Sequence, residues 1–139
     1  MLNKMDSVPV LKSGFYLAIK DTTKSNGFKI YNAEKYYYLS PSPVVDLGQV
    51  DSVYKERDDH LNRYILHFSF NQLGSKIWFD FTTKHMGSEA AIVFGNKVIW
   101  VATIIEPMDF TYLAGKYTSQ QIDSFQTEVI KEIRSRETK

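Results

Sequence analysis

The side chains with chemistry to offer fall into three groups. The first is Asp58-Asp59-His60, two carboxylates and an imidazole in succession. Such a set could ligate a metal ion. No matched partner for it stands elsewhere in the sequence. It sits in an expected hairpin loop, where Asp is favoured for hydrogen bonds to its own backbone. A small enzyme, or a metal- or small-ligand-binding domain with its site in the 57–62 loop, is one reading of these residues. The other two histidines have ordinary places: His67 on the second face of a strand, His85 packed near a helix C-terminus.

The second group is defined by what is missing. There is no Cys, so thiolate nucleophiles, zinc-thiolate sites and disulfides are excluded. No Gly-x-Ser-x-Gly elbow, P-loop or dinucleotide fingerprint occurs. A non-enzymatic domain without a cofactor is the expectation. Lys plus Arg is 17 against 16 for Asp plus Glu, a net charge of +1. A duplex-DNA binder normally carries a basic excess, and the glycine-aromatic pattern of an RNA-stacking sheet is absent, so nucleic acid is not an expected partner.

The third group is aromatic. The sequence holds nine Tyr and nine Phe, 14% aromatic residues with Trp included. Tyr36-Tyr37-Tyr38 places rings on both faces of one strand, and Tyr112 and Tyr117 flank the last turn. Phe79 lies about 140° round its helix from Gly74, off the face of Trp78 and Phe81. Most aromatics in a folded domain are core or singly exposed. The functional alternative is an adhesive patch for an extended chain, since Tyr and Phe supply area at little entropy. Phe79, Tyr112 and Tyr117, with Ile99 and Val101 beneath them on one strand face, are the residues expected to form it.

These residues need a scaffold, and 139 residues at 43% hydrophobic content are enough for one domain with its own core. Residues 1–13 read as a flexible lead-in and 14–139 as the domain. Gly14–Lys20 alternates, with Phe15, Leu17 and Ile19 on the expected core side. Asn26-Gly27 signals a turn, Phe28–Tyr31 and Tyr36–Leu39 read as short strands, and Ser40-Pro-Ser-Pro43 as an extended connector. A single turn capped by Asp46 leads to a strand from Val50. Arg63–Phe70 alternates cleanly, Tyr64, Leu66, Phe68 and Phe70 on one side. Asn71 caps a helix, about 71–86, which Gly87 ends as a left-handed C′ residue. Ala90–Phe94 and Lys97–Ile104 form a hairpin about Gly95-Asn96. The second of these strands is apolar on both sides and is expected in the centre of a sheet, or covered on its second face. Phe110–Leu113 is a short strand, and Thr118-Ser-Gln-Gln121 is a capping box opening a helix, about 118–134. The sum is α+β: an antiparallel sheet with the two helices packed on one face.

Several stretches, in order, resemble the head part of the first large extracytoplasmic domain of the bacterial SecD translocase subunit. Gly74-Ser-Lys-Ile-Trp-Phe-Asp-Phe-Thr82 is similar to that family's glycine, aromatic and threonine helix, and Gly87 to the glycine that ends it. Ala91–Ile99 is similar to its hairpin, and Ala114-Gly-Lys-Tyr-Thr-Ser-Gln-Gln-Ile122 to its lead into the last helix. The likeness covers most of residues 36–130. It departs at the turn, which is Gly-Asn rather than Asp-Gly, and at Ala102, where the family usually has proline. The resemblance implies the fold, an extracytoplasmic setting and a polypeptide or protein partner. Nothing resembles the family's proton-coupling segments, so proton-driven translocation is not implied. No run of about 18 apolar residues is present, so no membrane-spanning helix is expected. The N-terminus lacks a signal peptide's apolar middle, which leaves a cytoplasmic setting open.

Overall fold

Alternation, caps and turn residues produce the expected elements. The computed structural model describes residues 11–23, 27–31, 34–60, 62–115 and 117–137. In chain order the elements are β1 (Gly14–Lys20), β2 (Phe28–Lys29), β3 (Tyr36–Leu39), β4 (Val45–Asp46), β5 (Val50–Asp58), β6 (Arg63–Phe70), α1 (Gln72–Lys84), β7 (Glu89–Phe94), β8 (Lys97–Thr103), β9 (Phe110–Leu113) and α2 (Ser119–Glu137). A single 3-10 turn, Leu47–Gln49, joins β4 to β5 and is capped by Asp46. Residues 1–10 of the expected lead-in, and 24–26 of the expected turn, lie outside the described residues.

The local signals act as their chemistry dictates. Asn71 Oδ1 accepts from the Gly74 N–H at 2.8 Å and starts α1. Thr118 Oγ1 accepts from Gln121 N at 3.1 Å while Gln121 Oε1 accepts from Thr118 N at 2.8 Å, a reciprocal box. Gly95 and Asn96 have φ of 60° and 59°, the double left-handed geometry of a tight hairpin turn. Gly87 is left-handed too, at φ 89°, but it stands two residues beyond the His85 cap instead of directly after it.

The α+β class holds, but the strands divide between two sheets. A six-stranded sheet runs β2-β3-β1-β7-β8, with β4 also on β1; a three-stranded sheet runs β5-β6-β9. Their inner faces share one core with both helices. Phe15 of β1 meets Phe68 and Phe70 of β6 edge-on at 5.2 and 5.1 Å, among Trp78 of α1 and Ile122, Phe125 and Val129 of α2. Alternation reports that a strand has a buried face; it carries no information on which strand will be its neighbour.

The larger sheet rolls on itself. Ile30, beside β2, bridges Val98 of β8, and Tyr31 donates its N–H to the Val98 carbonyl at 2.7 Å. The two ends of the strand order therefore touch. The inside of the roll is a second core of Tyr16, Ala18, Tyr37, Ala91, Val93 and Val98. This corrects the reading of β1. Phe15 and Leu17 do face the main core, but Tyr16 and Ala18 are buried on the other side, and Ile19 is 63% exposed.

β8 is likewise at the end of its sheet order and not in its centre. Both its faces still find cover, because the roll encloses the second one. Ile92 pairs with Trp100 and Val93 with Val98, so Ile99 is an extra residue, a β-bulge. The bulge breaks the two-residue period. Val98 and Val101 face the second core, while Ile99 turns into the main core and is 2% exposed. Ile99 and Val101 therefore do not share one strand face, contrary to the expectation from strict alternation.

Candidate functional site

Two of the edge strands, β8 and β9, border one region of the surface. β8 pairs with β7 on one side; on the other, among the described residues, Ile30 and Tyr31 meet it at Val98 and the Tyr117 hydroxyl bonds the Ile99 carbonyl. β9 pairs with β6 and has no second neighbour among the described strands. Beyond β8, Ile104 donates to the Ser88 carbonyl and accepts from the Gly87 N–H, both at 2.8 Å, on the β7 side. Antiparallel alternation then turns the backbone groups of Val101 and Thr103 to the open edge.

One cleft lies along both edges. Its larger hollow, about 510 Å³, is walled by Ile99, Trp100 and Val101 of β8, by Ala114, Gly115 and Tyr117 after β9, and by Tyr31, Lys35 and Tyr37. The smaller hollow, about 250 Å³, continues past Ala102 and Thr103 to Thr111 and Tyr112 of β9, with Trp78 and Thr82 of α1 beside them. Arg63, Trp100 and Ala114 line both, so the hollows adjoin.

The walls are held by specific contacts. The Tyr117 hydroxyl donates to the Ile99 carbonyl at 2.7 Å, and its ring meets Phe125 edge-on at 4.8 Å. Burial, and secondarily the neighbouring Tyr31, push the Tyr117 phenol up to about 12, so it stays a neutral donor at ordinary pH. Tyr37 is also raised, by burial first and then by the charge of Glu89 and a hydrogen bond to it. A Cβ at Gly115 would lie 2.8 Å from a Tyr117 ring carbon and 3.0 Å from one of Trp100, so only glycine lets these two rings close here. Thr82 Oγ1 accepts from Met108 N at 2.9 Å and anchors the connection between β8 and β9 to α1. The cleft thus offers apolar area, aromatic faces, open strand edges and, in its larger hollow, the cations Lys35 and Arg63.

Comparison with known proteins places this arrangement. The family model of the SecDF P1 head subdomain matches residues 21–128. The chain belongs to the SecDF P1 head family. It is 34% identical to the protein translocase subunit SecD of Rickettsia conorii over 70 residues, 50% of this chain and 14% of that protein. It is 38% identical to SecD of Rickettsia bellii over 50 residues, 36% of this chain and 10% of that protein. The chain thus spans a small part of the length of these relatives. A solved structure of SecDF, described as a membrane component that enhances protein export, superposes with a TM-score of 0.63 at 13% identity, covering 93% of this chain and 69% of that one. SecDF in a super-membrane-facing form gives 0.64 at 13% identity, over 84% of this chain and 18% of that one. Among the described residues no helix is long and apolar enough to cross a membrane.

In this P1 head relative, three of the five aromatic and apolar residues singled out from sequence meet in the larger hollow: Ile99, Val101 and Tyr117. Tyr112 lines the smaller one. Phe79 lies on the exposed side of α1 and lines neither. Asp58, Asp59 and His60 form the β5–β6 turn. Asp58 Oδ1 accepts from the His60 N–H at 3.0 Å, and Asp59 is 3.4 Å from Arg57. Among the described residues no group of three or more His, Asp or Glu is placed to hold a metal. His67 is stacked between Tyr54 and Phe110, at 4.6 and 4.9 Å, with Glu56 3.5 Å away, and His85 packs on Phe81. Sequence reasoning missed Lys35, Arg63 and Trp100. Arg63 had one signal, its place on the face of its strand away from the core.

Proposed function

We propose that this domain holds extended polypeptide in the cleft between β8 and β9, as an accessory of protein export outside the cytoplasm. The observation that carries the reading is the pair of open strand edges bordering one aromatic cleft. Strand addition to an edge supplies sequence-independent main-chain hydrogen bonds, and the rings supply adhesive area. Family membership supports the same reading: the relatives are translocase subunits, and SecDF is described as enhancing protein export. Val101, Tyr112 and Tyr117 are the contact residues, with the buried Ile99 forming the floor behind them, and Phe79 adds contact for a ligand that leaves the cleft across α1. Binding is weak and tolerant of sequence, since an unfolded chain loses entropy when held.

Titration of an unfolded, apolar-rich peptide into isotope-labelled domain tests this. Backbone shifts gather at Ile99, Val101, Tyr112 and Tyr117, and Tyr117→Ala weakens binding while the domain stays folded. No shifts at millimolar peptide, or shifts confined to residues 57–62, would overturn the reading.

A further inference from the structure

Arg63 stands where the two hollows of the cleft join. Its Nε is buried and has no hydrogen-bond partner among the described residues, and Arg63 makes no ion pair there. Asp58, opposite it in the β5–β6 register, has its Oδ1 engaged by the backbone of its own turn. An arginine donor removed from water without an acceptor costs free energy that a ligand's acceptor can restore. Trp78 Nε1, on the wall of the smaller hollow, is a second buried donor without a partner among the described residues. Lys35 adds a second positive charge to the larger hollow, where no acidic side chain stands among the described lining residues; Glu106 lines the smaller one. In the larger hollow the charge is positive.

We infer that the cleft selects an acidic side chain, Asp or Glu, carried within an extended, otherwise apolar peptide, and that Arg63 receives its carboxylate. The inference rests on the peptide-binding reading and refines it. An internal side chain fits better than a chain end because the cleft continues on both sides of Arg63. The peptide runs along the β8 edge with its apolar residues against Trp100, Val101 and Tyr117. Its carboxylate meets the guanidinium at the junction, in a charge-assisted hydrogen bond.

The test uses nine-residue peptides, acetylated and amidated, that differ only at a central Glu, Gln or Lys. Binding is read by anisotropy and by the Arg63 Nε–H resonance. The Glu peptide binds about tenfold tighter than the Gln peptide, in line with a hydrogen bond to a charged group, and the Lys peptide binds weakest. Salt narrows the gap. The Arg63 Nε–H signal moves with Glu and stays with Gln. Arg63→Met, which keeps the aliphatic stem, removes the preference, so that the Glu and Gln peptides bind it alike. Should that variant unfold, the Nε–H shift in the unaltered domain decides alone.

Equal affinity for Glu and Gln peptides would overturn the inference and leave the peptide-binding reading standing. Binding of none of the peptides would overturn both. A preference seen only for a free terminal carboxylate, in unamidated peptides, or one that persists in folded Arg63→Met, would also overturn it.

Discussion

The Tyr117 hydroxyl donates to the Ile99 carbonyl at 2.7 Å, tying the lead into α2 to the bulge in β8. The bulge leaves that carbonyl outside the regular β7–β8 ladder, and the phenol supplies its donor. The bond closes one end of the larger hollow and gives the wall its pH dependence. The phenol is raised from 10.0 to about 12 by burial, then by Tyr31. Between those values the folded state holds a proton that the unfolded state has lost, so stability falls as pH rises. The contribution is complete below pH 10 and lost by about pH 12. Alkaline melts of Tyr117→Phe lose less stability across this window than those of the unaltered domain. At neutral pH the variant is weaker by about 1 kcal/mol, the net worth of one hydrogen bond. An unchanged alkaline profile in the variant would show that Tyr117 is not the group titrating.

Thr82 is fully buried, and its hydroxyl serves two backbone groups at once. It donates to the Trp78 carbonyl at 2.9 Å and accepts from Met108 N at 2.9 Å. Thr82→Val has nearly the same shape and leaves the Met108 N–H without a partner. We expect a loss of about 1–3 kcal/mol by chemical denaturation. Thr82→Ser keeps both bonds and loses only a buried methyl, for about 1 kcal/mol. Faster amide exchange at Met108 in Thr82→Val, and not in Thr82→Ser, identifies the hydrogen bond as the cause.

Gly74 lies in the first turn of α1, where glycine usually costs about 1 kcal/mol against alanine. A Cβ there would stand 3.0 Å from Phe70 Cβ and 3.1 Å from Gln49 Cβ, so the helix is pressed against the end of β6 and the 3-10 turn. Gly74→Leu forces these apart and lowers the melting temperature by several degrees, at an overpacking cost of about 1–3 kcal/mol. Gly74→Ala is close to neutral, because helix propensity offsets the crowding. A Leu variant that melts at or above the unaltered temperature would show that the approach relaxes freely.

The sequence by itself determined most of the elements and their N-caps, because these depend on near neighbours; β4 was not among them. Alternation at Arg63–Phe70, the Asn71 and Thr118 caps and the Gly95-Asn96 turn are local chemistry, and each appears in place. The ordered likeness to the SecD head was legible for the same reason, since it was carried by short local stretches around those elements. What tertiary structure decided is which elements meet. Nothing within Phe28–Tyr31 announces a bridge to Val98, yet that bridge rolls the larger sheet and buries Tyr16 and Ala18. Nothing in Lys97–Thr103 marks Ile99 as a bulge, because the segment is apolar on both sides and every register looks equally good. The cleft follows from both. Trp100, Arg63 and Tyr117 are far apart in sequence, and the roll of one sheet against the edge of the other makes them neighbours.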